Sequence, residues 1–241
     1  MKNKILKTTL LWVIPACIFA WSFTPVFSQN LPVSSYGLPI INSVLLYRES
    51  LWNHPEKQMK SLSQIPGIIM DLRYATANNF MHKNLYPANT KISYLRKTVF
   101  QALVSVAAEL SHRGLALVIF DAYRPYQVTI DLWIPIQDER YAANPAKGSG
   151  HNRGVAVDLT LADSKTHQLL SMPTGFDSFS DSAHQDFKGT DVKRIANREL
   201  LKQVMVKYGF IPLSTEWWHF SWPIPEKFEV LDLSFEQLEK P

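Results

Sequence analysis

The chain has 241 residues, enough for one globular domain of roughly 150 to 250 residues or two small ones. Hydrophobic residues make up 46% and charged residues 19%, with no glycine period and no low-complexity tract, which excludes collagen, coiled coil and wholesale disorder. Lys2, Lys4 and Lys7 supply most of the formal charge of +4; without residues 1–28 the count is 22 basic against 21 acidic residues, leaving no basic stripe for nucleic acid.

The three lysines precede an uncharged stretch, Thr8 to Phe27, rich in Leu, Ile, Val, Phe and Trp and ending before Ser28-Gln29. This reads as a signal peptide over residues 1–28, cleaved after Ser28, so an exported, periplasmic protein is expected. An uncleaved anchor competes, because about 20 apolar residues can span a bilayer, and Cys17 behind Ala16 resembles a lipid-attachment site. No stable membrane partner is expected if the leader is removed. Cys17 is the only cysteine, so the mature chain has neither a disulfide framework nor a cysteine nucleophile.

Residues 29–60 mix Pro, Ser, Asn and Gly with scattered apolar positions and read as a partly ordered lead-in to one domain spanning 61–241. From Arg96 to His112, the residues Val99, Leu103, Val106, Ala107 and Leu110 recur at helical spacing, with Gly114 as the stop. Leu115 to Phe120 reads as a buried strand leading into a loop at Asp121–Pro125. A second helix is expected over 125–137, ended or kinked by Pro135. Gly148-Ser149-Gly150 reads as a loop, and Val155 to Leu161 alternates as a strand that turns Asp158 to a cleft and its valines to the core. A third helix is predicted over 191–208, with Val192, Ile195, Ala196, Val204 and Tyr208 on its inner face and Gly209 as terminator. The tail after Pro223 reads as polar surface. Helices mixed with non-adjacent strands and no internal repeat give a single α+β domain.

Of the seven histidines, context selects two. In Ser149-Gly150-His151-Asn152-Arg153-Gly154-Val155-Ala156-Val157-Asp158, a glycine loop delivers His151 and the following strand delivers a carboxylate that needs a positive partner when buried. In Glu216-Trp217-Trp218-His219, a carboxylate precedes a histidine inside an apolar wall that raises its proton affinity. An aromatic core strand holding a satisfied histidine is the plainer alternative for that segment. Together, His151, Asp158 and His219 form a three-ligand set with Glu216 as a non-ligand acid/base, the pattern of a catalytic zinc with one open position. Arg124, in Asp121-Ala122-Tyr123-Arg124-Pro125, could stabilise an oxyanion or merely pair with Asp121, and Arg73 competes for that role. Zincin, serine-hydrolase, phosphate-loop and dinucleotide motifs are missing.

These pieces resemble the D-alanyl-D-alanine dipeptidases, VanX-type zinc enzymes related to the DD-carboxypeptidases and, by fold, to the hedgehog signalling domain. Tyr74-Ala75-Thr76 with Asn79-Phe80, Asp121-x-Tyr123-Arg124-Pro125, the 149–161 string, Phe176-Asp177 and Glu216-Trp217-Trp218-His219 occur in the family's order over about residues 64–222. The resemblance implies a central, mostly antiparallel sheet with flanking helices. It implies one zinc per chain on His151, Asp158 and His219, Glu216 as general base and then acid, and Arg124 rather than Arg73 as transition-state stabiliser. It further implies that Tyr74 and Asp177 hold the ammonium of a small D,D-dipeptide while Ser149 lines the pocket. The expected activity is hydrolysis of D-alanyl-D-alanine in cell-wall turnover. A DD-carboxypeptidase acting on longer stem peptides and a non-catalytic zinc-stabilised binding domain are the alternatives.

Overall fold

The computed structural model describes residues 31–88 and 90–240; the leader read from residues 1–28 lies outside them. In chain order the elements are β1 (Ile40–Ile41), α1 (Val44–Ser50), β2 (Met59–Ser61), β3 (Ile69–Met70), β4 (Tyr94–Arg96), α2 (Lys97–Ser111), β5 (Leu115–Asp121), α3 (Tyr126–Ile136), β6 (Ala156–Asp163), α4 (Val192–Lys207), β7 (Ile211–Pro212), β8 (His219–Ser221), β9 (Val230–Leu231) and α5 (Phe235–Glu239).

A five-stranded sheet in the order β3-β5-β6-β8-β7 forms the frame, antiparallel at every pairing except β3 with β5. The mostly antiparallel α+β expectation is met. Helix α2 buries the predicted residues Val99, Leu103, Val106, Ala107 and Leu110, and Gly114 closes it at φ 72°, a conformation that costs glycine little. Helix α3 tolerates Pro135 because the proline sits in its last turn, one residue before the helix ends and Gln137 turns left-handed.

Two expectations are corrected, while strand β6 follows the one drawn for it: Asp158 faces the cavity and Val155 and Val157 enter the core, with the face that carries Asp158 roofed by the cavity's loops. Gly150 shows how closely that roof lies, since a Cβ there would stand 2.8 Å from the Ala156 Cβ. Helix α4 turns a different face inward: Val192 is 83% exposed and Ala196 is exposed, while Arg198, Leu201, Val204 and Met205 are buried. Arg198 is buried there because its guanidinium donates to the carbonyls of His184 and Phe187. The tail is not surface either. Phe228, Val230, Leu231, Leu233, Phe235 and Leu238 are buried, with β9 pairing parallel to β1 and the α5 capping box at Ser234 and Gln237 turning the helix back onto the core.

From Leu31 onward the described residues make one compact unit, and residues 31–60 belong to it. The Tyr47 hydroxyl on α1 is buried and accepts from the Met59 amide at 2.6 Å, tying α1 to the start of β2. Among the described residues no helix is long and apolar enough to cross a membrane.

Candidate active site and metal centre

The site is a row of side chains across three neighbouring strands. Strand β5 slips its register against β6 between Ile119 and Asp121, so that Asp121 stands opposite Asp158, which in turn stands opposite His219 on β8. Such a bulge re-aims the side chain that follows it. The glycine loop before β6 then lays His151 over the row. Its Nδ1 lies 2.7 Å from the Ala122 carbonyl oxygen; a carbonyl can only accept, so Nδ1 carries the proton and Nε2 presents its lone pair. That Nε2 lies 3.2 Å from His219 Nδ1 and 3.4 Å from Asp158 Oδ2, with His219 Nδ1 at 2.8 Å from Asp158 Oδ1. All three donor atoms lie within 4.8 Å of one another. Two imidazoles and a carboxylate converging in this way fit one divalent metal of borderline softness. Burial raises the Asp158 carboxyl, but the imidazoles of His151 and His219 outweigh it and hold the group well below the usual carboxylate range.

Glu216 stands just outside this trio, with Oε2 4.0 Å from His219 Nδ1. Buried Trp217 and Trp218 anchor the segment between them, the Trp217 indole N–H donating to Thr174 Oγ1 at 2.9 Å. Burial pushes the Glu216 carboxyl up to about 7; His219 and Arg124 oppose this, and the Asp158 and Asp177 charges add to it. A carboxyl poised there can take a proton and return it near neutral pH.

Arg124 pairs with Asp121 and also lines the cavity. Its Nε and one terminal nitrogen pair with Asp121 Oδ2 at 2.9 and 2.7 Å, its guanidinium carbon lies 5.0 Å from the centre of the Tyr74 ring, and its terminal nitrogen reaches 4.0 Å from Asp158 Oδ2 at the cavity wall. Arg73 is placed elsewhere, paired with Asp71 and stacked 4.4 Å from the Phe120 ring centre. Tyr74, Ser149 and Asp177 line the same cavity of about 570 Å³ as Arg124, His151, Asp158, Glu216 and His219. The Tyr74 hydroxyl donates to Asp177 Oδ1 at 3.3 Å, and Asp177 Oδ2 is buried without a partner. Asp177 also holds a left-handed backbone, φ 58°, a conformation that persists only where its surroundings impose it.

Burial pushes Asp177 from an ordinary 3.8 up to about 7, with Asp158 adding to the effect. The folded carboxyl thus keeps a proton that the unfolded one releases, and stability falls as pH rises through that window. Denaturant titrations at about pH 4 and about pH 8 should show the wild type losing on the order of 2 kcal/mol more than Asp177→Asn across the range. Equal losses would mean that Asp177 titrates normally.

Pattern reading missed several supports. Tyr86 donates to Asp121 Oδ1 at 2.6 Å, and burial pushes its hydroxyl far up so that it stays a donor. Asn152 donates to the Arg124 carbonyl and to Thr129 Oγ1 while its own oxygen accepts from the Ser149 amide. Only Asn152, inside the glycine loop, carried any local signal.

An arrangement of this kind belongs to a hydrolase that works through a bound divalent metal. Residues 56–232 match the D-ala-D-ala dipeptidase family, and the chain belongs to that family. It is 36% identical over 166 residues to the D-alanyl-D-alanine dipeptidase of Escherichia coli (strain K12), covering 69% of this chain and 84% of the relative. Against the D-alanyl-D-alanine dipeptidase of Streptomyces coelicolor it is 30% identical over 183 residues, covering 65% and 87%. Among solved structures, the LdcB LD-carboxypeptidase aligns with a TM-score of 0.42 at 17% identity over 88% of this chain and 98% of that one, a likeness too loose to carry an argument.

Proposed function

We propose that this chain hydrolyses D-alanyl-D-alanine to two molecules of D-alanine, using one zinc ion held by His151, Asp158 and His219. The observation that carries the reading is the convergence of those three donors beside a raised, non-ligating Glu216, in a chain of the dipeptidase family. Bound there, zinc would supply Lewis acidity and make water a better nucleophile at neutral pH. Glu216 removes a proton from the attacking water and passes it to the departing amine. The edge of Arg124 that faces the cavity donates to the oxygen on which negative charge develops. Asp177, with a buried oxygen that lacks a donor, receives the substrate ammonium beside Tyr74, and Ser149 lines the wall.

Asp177 is also what favours a dipeptide over a longer stem peptide, because a chain extended at its amino end carries no ammonium at that point. Glu216 and Arg124 argue against a purely structural metal, which needs neither. The leader-like residues 1–28 support a periplasmic location, where the dipeptide would come from wall turnover.

The test is zinc content of the purified protein together with hydrolysis of D-alanyl-D-alanine and of a stem pentapeptide, before and after chelation and zinc add-back. One zinc per chain, chelator-sensitive cleavage of the dipeptide and little cleavage of the pentapeptide are expected. Preferred cleavage of the pentapeptide, or zinc without cleavage, overturns the reading.

A further inference from the structure

Resting on that reading, we infer that Gln185 is a positioning residue for Glu216. The segment just after Ser180 runs alongside the segment that carries the acid/base, and the two are laced together. The Trp217 amide donates to the Ala183 carbonyl at 2.9 Å, and the Gln185 amide donates to the Ser214 carbonyl at 2.9 Å. The Gln185 side chain, 7% exposed, turns its Nε2 onto the Glu216 carbonyl at 3.2 Å and the Trp217 carbonyl at 3.4 Å.

The Glu216 carbonyl is the node. It accepts from Gln185 Nε2 and also from the His219 amide at 3.4 Å, so one oxygen links the acid/base residue, the metal-ligand strand and the neighbouring loop. Both donations exploit the NH₂ end of the amide; a reversed amide would set oxygen against oxygen. Meanwhile Gln185 Oε1 is buried without a partner, so the side chain is held by its donor end alone. A leucine of similar size would remove the unsatisfied oxygen but also the donor to the Glu216 and Trp217 carbonyls, so what the amide contributes here lies in its donor end. Behind it, buried Arg198 clamps the loop by donating to the carbonyls of His184 and Phe187. Neither side chain of this brace is one of the metal ligands.

Gln185→Leu removes the donor at similar volume, and Gln185→His restores a ring N–H at similar reach. In Gln185→Leu, kcat for D-alanyl-D-alanine should fall by about 10- to 100-fold with KM within about threefold, the scale expected when a reacting group is misplaced without loss of substrate binding. Zinc content should stay at the wild-type level, and the thermal midpoint should fall by only a few degrees, roughly what a lost buried donor costs. Gln185→His should recover most of the lost turnover. Hydrogen exchange over residues 213–219 should quicken in Gln185→Leu and slow again in Gln185→His. Unchanged turnover and exchange overturn the inference, as does a loss of turnover that follows zinc content or thermal stability without rescue by histidine. If the wild type fails to cleave the dipeptide, the dipeptidase reading fails, and the exchange data alone still decide whether Gln185 holds the Glu216 segment.

Discussion

Replacing Glu216 with glutamine should lower kcat for D-alanyl-D-alanine by about a thousandfold, or about 4 kcal/mol of transition-state stabilisation, while metal content stays at the wild-type level. The amide has nearly the shape of the acid but cannot take a proton from water or return one to the leaving amine. The metal should be retained because Glu216 is not one of the three converging donors and its Oε2 lies 4.0 Å from His219 Nδ1. Stability should not suffer. Burial raises the folded carboxyl to about 7 from an ordinary 4.5, so ionising it above neutral pH costs the fold something that the neutral amide does not. Metal analysis, steady-state kinetics and a denaturant titration at about pH 8 check the three parts. Turnover within about tenfold of wild type would remove Glu216 from the proton transfers.

Arg124 should divide into two separable contributions. Arg124→Lys keeps the charge, but an ammonium cannot grip Asp121 and face the cavity at once as the planar guanidinium does, so a loss of about a hundredfold in kcat is expected. Arg124→Ala should lose activity further and also about 3 kcal/mol of stability, because Asp121 is fully buried and would keep only Tyr86 and the Ala122 amide as partners. Adding Asp121→Asn to Arg124→Ala should recover much of the stability and none of the turnover. Recovery of both would make Arg124 a structural residue alone.

The convergence of His151, Asp158 and His219 was legible because they sit in two short strings, 149–158 and 216–219, whose local pattern needs no tertiary information. Helix α2 was legible for the same reason: five apolar residues at regular spacing and a glycine stop. What escaped is set by contacts distant in sequence. Tyr86 lies 35 positions from the Asp121 it bonds, with nothing near it to announce a partner. The bulge in β5 comes from pairing with β6, and a continuous apolar run conceals it. The inward face of α4 escaped because it includes Arg198, whose guanidinium is satisfied by two loop carbonyls, contacts that apolar spacing does not announce. In the tail, prolines and charges masked a buried stripe that partners distant in sequence explain, among them β1, Tyr94 and the 123–127 segment.

That tail also bears on the cavity. The Tyr123 hydroxyl accepts from the Leu233 amide at 2.9 Å and donates to the Leu233 carbonyl at 2.8 Å, and the Gln127 amide donates to Asp232 Oδ1. Both partners lie close to Arg124 in sequence and 105 to 110 positions before the residues they bond. The wall that carries Arg124 is therefore fastened by a segment distant in sequence, so a change that loosens residues 232–233 would disturb that wall without touching any of the three converging donors.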